Sequence, residues 1–264
     1  MSRNLSKSLA PIVERLELEQ PEIVTLKQLS KIAAESGVFT APTLIAHRLV
    51  SRGWLLKTGI NGAWEFAPAA FAGAYSRGGP LIAVNAIFQL IPDFPAAIAL
   101  SSAAWMYGIA DRVPPKIELA VKPDKSIPAG LSRKVKILRF NSRLTPNIKN
   151  GIPVHRFESV LVHLAANPTR VNSWGGVAEW LPDLVAEAVA SDIILELKGR
   201  SQSTKVRLAY LLEGLWPELS EIVGISAKTK VWFGPRGKLR RHSQRWQVAD
   251  TILPFDPATL PKVR

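Results

Sequence analysis

Apolar residues recur three and four positions apart through Leu9, Ile12, Val13 and Leu16, and this spacing predicts an amphipathic helix over residues 6–19. Pro21 stops it. Residues 22–25 read as a short extended piece, and Thr25 is placed to cap a second helix over residues 26–36, with Leu26, Leu29, Ile32 and Ala33 inward. Gly37 closes that helix, Val38 and Phe39 make the turn, and a third helix follows over residues 40–52. Thr40 is its expected N-cap, Pro42 sits in its first turn, and Leu44, Ile45 and Leu49 form its inner face. Gly53 ends it. Residues 54–57 and 63–66 are strand formers around Thr58-Gly59-Ile60-Asn61-Gly62, a connection whose glycines and asparagine supply positive φ, so a hairpin is predicted. Helix, short strand, helix, tight turn, helix and ribbon within about 70 residues is the order of a winged helix-turn-helix, in a segment of small-domain size.

Residues 68–80, with Gly73, Ser76, Arg77, Gly78 and Gly79, read as a linker. Beyond them the pattern changes. Residues 81–89 look helical, 96–100 form a short apolar run, and Ser101-Ser102 are placed to cap a helix over 103–107 that Gly108 breaks. Residues 116–121 and 135–140 alternate as half-buried strands, and 152–155 read as another. Helices are predicted over 157–165, 184–190, 191–198 and 204–214. Residues 230–233 and 245–248 look like a closing pair of strands around a basic loop. The expected fold is α+β: an N-terminal winged helix-turn-helix domain over residues 1–79, then a larger α/β domain with a mixed sheet over 80–264.

Composition changes the picture in three ways. The chain of 264 residues has ample length for a core, and it holds no cysteine, which excludes disulfides and thiolate metal sites. Its four histidines, His47, His155, His163 and His242, show no metal-ligand spacing, so neither a metal nor a cofactor is expected. Residues 1–19 lack a signal-type apolar segment, and the apolar region 81–110 is broken by Pro92, Asp93 and Pro95, so a cytoplasmic protein with no membrane partner is expected. The formal charge of +13 points to a polyanionic partner, nucleic acid above all.

A winged helix presents the N-terminal end and outer face of its last helix to the major groove. Thr40, Thr43, Ala46, His47 and Ser51 are expected to face outward there. Arg48, Arg52, Lys27 and Lys31 are candidates for phosphates, and Lys57, Thr58 and Asn61 for wing contacts. With few base-reading arginines or asparagines on this helix, direct readout is expected to be modest, with phosphate contacts setting the register. Winged helices also serve as protein-interaction modules, which is the first alternative.

The second alternative is a nuclease. Pro182-Asp183 followed by Glu196-Leu197-Lys198 fits a loose string in which Asp183 and Glu196 would hold Mg²⁺ and Lys198 would assist the attacking water. That chemistry needs Glu196 and Lys198 on a core strand, whereas Pro182 reads as a helix start, and Ile193, Ile194 and Leu197 fit a helix face as well as a strand. A basic cluster, Lys228, Lys230, Arg236, Lys238, Arg240, Arg241 and Arg245, is interleaved with Trp232, Phe233 and Trp246. It is a candidate second nucleic-acid surface, through Arg236, Lys238, Arg240 and Arg241, or a solvated loop over core aromatics. Ser201 to Thr204 reads as an N-cap rather than a nucleophile, and neither a Gly-x-Ser-x-Gly elbow nor a Walker loop is present. No catalytic residue is assigned.

Gly53-Trp54-Leu55 with Gly62-Ala63-Trp64-Glu65-Phe66, then Ser102-Ala103-Ala104-Trp105 through Asp111-Arg112 and the strand 116–121, are similar to AbiEi-type antitoxins of type IV toxin–antitoxin systems. Residues 203–214 and 230–235 resemble that family's C-terminal domain. The resemblance runs through most of the chain in order. It implies a winged-helix N-domain joined to an α/β antitoxin domain, repression of the protein's own operon through inverted repeats in double-stranded promoter DNA, and no catalysis. It also implies a cognate toxin with a nucleotidyltransferase fold, countered in some systems without direct contact. Only winged-helix positions carry over as a site: Thr40, Thr43, His47, Arg48, Ser51 and Arg52 on the helix, and Lys57, Thr58 and Asn61 on the wing.

Overall fold

The computed structural model describes residues 5–7, 9–70, 78–224 and 229–264. In chain order its elements are α1 (Ala10–Glu19), β1 (Ile23–Thr25), α2 (Leu26–Glu35), α3 (Pro42–Ser51), β2 (Leu55–Lys57), β3 (Ala63–Phe66), α4 (Ile82–Leu90), β4 (Ala96–Ile98), α5 (Leu100–Tyr107), β5 (Glu118–Val121), α6 (Ala129–Lys134), β6 (Lys136–Arg139), β7 (Asn147–Lys149), β8 (Ile152–Val154), α7 (Phe157–Ala166), α8 (Trp174–Glu187), α9 (Ala190–Leu197), α10 (Gln202–Leu212), α11 (Pro217–Val223), β9 (Val231–Phe233), β10 (Arg241–Ser243) and β11 (Val248–Asp250). They divide into two compact units, Met1–Pro95 with Lys125–Lys136, and Ala96–Asp124 with Ile137–Arg264. Residues 71–77, the middle of the expected linker with Gly73, Ser76 and Arg77, lie outside the described residues. Among the described residues no helix is long and apolar enough to cross a membrane.

In the first unit, three helices and a small antiparallel sheet, ordered β1-β3-β2, enclose a core that includes Leu9, Ile12, Leu16, Leu29, Ile45, Leu49, Leu55 and Phe66. Thr25 makes the expected cap. Its hydroxyl accepts from Gln28 N at 3.3 Å while Gln28 Oε1 accepts from Thr25 N at 2.7 Å, a reciprocal box that satisfies two otherwise orphaned donors. Thr25→Ala is expected to cost about 1 kcal/mol of unfolding free energy in urea, with the helix content of the native state unchanged.

The hairpin between β2 and β3 turns through Gly59 and Gly62, at φ 89° and 83°, where a side chain would be strained. Its tip lies down on the unit instead of projecting from it: Ile60 is buried, and α4 and α6 flank it. Helix α6 belongs to this unit although it follows β5 in sequence, and it docks by backbone on backbone. A Cβ at Gly130 would lie 1.8 Å from the carbonyl oxygen of Gly59, so only glycine permits this approach.

In the second unit a mixed five-stranded sheet, ordered β6-β5-β4-β8-β7, pairs β4 antiparallel with β5 and parallel with β8. A separate three-stranded sheet, ordered β10-β11-β9, pairs β11 parallel with β9. The expected partner of β9 therefore lies further along the chain, at Val248–Asp250, with Arg245 and Trp246 in the turn before it. Ser101 and Ser102 lie inside α5 and do not cap it. Buried Glu118 does that work, accepting from Ser101 N at 2.9 Å, while Ser102 Oγ accepts from Glu118 N at 2.8 Å. Pro182 sits within α8, which begins ten residues earlier than the spacing of Leu184 onward implies.

Candidate nucleic-acid interface

Helix α3 buries Ile45, Ala46 and Leu49 and exposes Thr43, Leu44, His47, Arg48 and Ser51 along one face. Two expectations are reversed here. With Ile45 and Leu49 inward, a period of 3.6 residues puts position 46 beside Leu49 and turns position 44 outward, so Ala46 is buried and Leu44 is 43% exposed. Thr40 does not cap the helix, whose N-cap is Ala41 with no side-chain hydrogen bond, and Thr40 itself is half-buried. Phe39, in the turn before the helix, is wholly exposed.

The other candidates separate by what holds them. Arg48 and His47 lie exposed on the outer face with no side-chain partner among the described residues, and the Ser51 hydroxyl donates to the Arg48 carbonyl at 2.9 Å, bonding within its own helix. Arg52 is half-buried, and its Nη1 has no hydrogen-bond partner among the described residues, so its guanidinium is not directed outward as a whole. Lys27 is exposed on α2. Lys31, also exposed, stands 3.8 Å from the Glu35 carboxylate and lines a groove with Arg15 and Glu19 of α1, away from α3. On the hairpin, Lys57 and Asn61 are exposed, but Thr58 is buried. Its hydroxyl donates to Ala63 O at 2.9 Å and accepts from Ile60 N at 3.0 Å, holding the turn closed and leaving nothing for a ligand. Asn61 lines a groove of about 490 Å³ with Ile87, Leu90, Gly130 and Arg133. That last neighbour is not legible from the local sequence, because α6 reaches the hairpin from some seventy residues downstream.

The basic loop between β9 and β10 divides in the same way. Phe233 and Trp246 are core, and Trp232 is half-buried with the Lys230 ammonium 5.2 Å above its ring. Arg241 is tied inward, its Nη1 donating to buried Asp250 Oδ2 and to Leu253 O, both at 3.0 Å, and Arg240 Nη1 reaches Leu253 O at 3.3 Å. Arg236 and Lys238 remain exposed with no ion pair among the described residues. Lys228 lies outside the described residues.

The nuclease string is not assembled as a metal site. Glu196 and Lys198 lie at the end of a helix, not on a strand, and Glu196 is fully buried. Its Oε2 accepts from Ser142 Oγ at 2.9 Å, Arg143 N at 2.8 Å and Leu144 N at 3.2 Å, and Oε1 pairs with Arg200, so both oxygens are spent on the protein. Asp183 is exposed on α8 and lines a cleft of about 800 Å³ with Asp111 and Glu179. Among the described residues no three His, Asp or Glu side chains are grouped to hold a metal ion.

Comparison with known proteins bears on both units. Residues 96–214 match the family model of the AbiEi antitoxin C-terminal domain. The crystal structure of the RV2827C protein from Mycobacterium tuberculosis is similar over nearly the whole length, with a TM-score of 0.83 at 24% sequence identity, covering 96% of this chain and 94% of that one. At that identity the likeness shows a shared fold: N-terminal helices with a small sheet, then a mixed sheet with helices. No curated protein matches the sequence.

Proposed function

From the premise that residues 96–214 are a domain of the AbiEi antitoxin family, we propose that this protein is the DNA-binding antitoxin of a type IV toxin–antitoxin system. In this reading it acts in the cytoplasm, represses its own operon, and counters a nucleotidyltransferase-like toxin, without chemistry of its own. DNA binding is assigned to the first unit, read as a winged helix-turn-helix with α3 as the recognition helix, and toxin counteraction to the second. One observation supports the DNA half above others: the three helices and hairpin follow in winged-helix order, and α3 leaves Thr43, His47, Arg48 and Ser51 on its outer face. The antitoxin half rests on the family match.

The test is a mobility shift on the duplex just upstream of the coding region, at near-physiological salt, with and without Mg²⁺ and against random competitor DNA. A discrete shift that survives competition and leaves the DNA intact is the expected result, and cleavage in the Mg²⁺ lane would restore the nuclease. Arg48→Ala is expected to weaken binding and to lower the slope of log affinity against log salt by about one, the signature of one lost phosphate contact. A second reading draws on Phe39 and Leu44, exposed apolar groups that suit a protein partner as well as thymine methyls. If random DNA erases the shift, or none forms, α3 is not a specific DNA reader and the protein-partner reading is the one left to test.

A further inference from the structure

We infer that α6 is a second, sequence-independent DNA-binding element, with Arg133 and Lys134 contacting backbone phosphates beside the hairpin. The inference rests on the winged-helix reading of the first unit and adds residues that the sequence pattern does not single out, on a helix that falls within the matched span 96–214 but packs in the first unit. In a freestanding wing the hairpin tip reaches the DNA. Here the tip is pinned, since Ile60 is buried, Thr58 is consumed within the turn, and Gly59 carries the backbone of Gly130 against it. The hairpin is left with Lys57 and Asn61 as exposed polar side chains, too little to hold a polyanion.

What occupies the space beside the tip is cationic. Two cations of α6, Arg133 and Lys134, lie there. Arg133 and Lys134 are exposed, and neither has an ion-pair partner among the described residues. The Lys134 stem crosses Gly59, where a built Cβ would lie 3.1 Å from Lys134 Cε, and Arg133 lines the same groove as Asn61. The Gly59–Gly130 contact thus fixes two unneutralised cations against the hairpin. Charges held in place by backbone contact contribute to phosphate binding without ordering a flexible loop first.

The experiment measures the salt dependence of binding by the full chain, on the upstream duplex and on a random duplex of equal length. In Arg133→Gln/Lys134→Gln the slope of log affinity against log salt is expected to fall by about two on both duplexes, since each phosphate contact contributes about 0.9. Gly130→Ala keeps both charges but forces α6 off Gly59, and a comparable loss of slope is expected from it, with a melting curve confirming that the native state persists. If the wild type shifts the upstream duplex and the double variant keeps the full slope, α6 is not a DNA contact and the winged-helix reading stands alone. An undiminished slope in folded Gly130→Ala overturns the positioning role of the Gly59 contact. If the wild type binds neither duplex, both readings fall.

Discussion

Glu196→Ala is expected to destabilise the second unit by about 3–5 kcal/mol, the cost of removing one partner from a buried ion pair. The carboxylate is fully buried and closes the loop after β6 onto α9 by accepting from Ser142 Oγ, Arg143 N and Leu144 N. Alanine would leave the Arg143 N–H without an acceptor, leave Leu144 N with Ser142 Oγ alone at 3.1 Å, and strip the charge partner from Arg200, whose side chain is only 17% exposed. Glu196→Gln keeps an acceptor oxygen and loses the charge, so its cost should be smaller. Urea unfolding of the three proteins at neutral pH orders them wild type, glutamine, alanine. A Glu196→Ala protein within about 1 kcal/mol of wild type would overturn the scaffold role. This prediction also separates the two uses of the same residue, because a metal-binding glutamate is a liability to stability and its removal would not unfold the protein.

The contrast between Glu196 as written and Glu196 as folded shows what the sequence can and cannot reveal. Elements built from neighbours in sequence were legible: α1, α2 and the hairpin follow from apolar period, the Thr25 box and paired strand formers, because the contacts that decide them lie within a few residues. Elements decided by distant partners were not. Helix α8 opens on Trp174-Gly175-Gly176, a poor helix start by propensity; it forms because Ser173 Oγ accepts from Gly176 N at 3.0 Å and Trp174 packs 5.2 Å from Phe233, some sixty residues away. The parallel β9–β11 pair and the placement of α6 against Gly59 depend likewise on long-range contact. The candidate interface fared the same way. Arg48 and His47 were recognisable as exposed polar residues, but Thr58 reads identically in sequence and is buried, because a hydroxyl that closes a turn and one that meets a ligand need the same atoms. Lys31 was legible as a cation, not as one placed on the α1 side of its helix.

Stability should fall by about 2 kcal/mol more in wild type than in His155→Leu when the pH is lowered from 7 to 4.5. His155 follows β8 and is 4% exposed, with its ring 5.6 Å from Phe140 and 6.1 Å from His163, and its Nδ1 has no hydrogen-bond partner among the described residues. Burial, and secondarily the Arg200 guanidinium, pull its pKa from 6.5 down to about 4. The sign follows from which state takes up the proton. Between pH 6.5 and 4 the unfolded chain protonates this ring and the folded chain does not, so stability is complete above 6.5 and is lost as pH falls through that window. Carboxylates that titrate lower in the range contribute to both proteins alike, so the difference between wild type and variant isolates the ring. Urea midpoints at the two pH values give it directly. Equal losses in the two proteins would mean that His155 takes up its proton in place, through an opening of the Phe140 packing that the folded structure does not display. Arg200 links the two predictions: it is the charge that Glu196 neutralises and the one that helps hold His155 unprotonated. In Glu196→Gln that charge is no longer balanced, so the acid sensitivity at His155 should become steeper, not weaker.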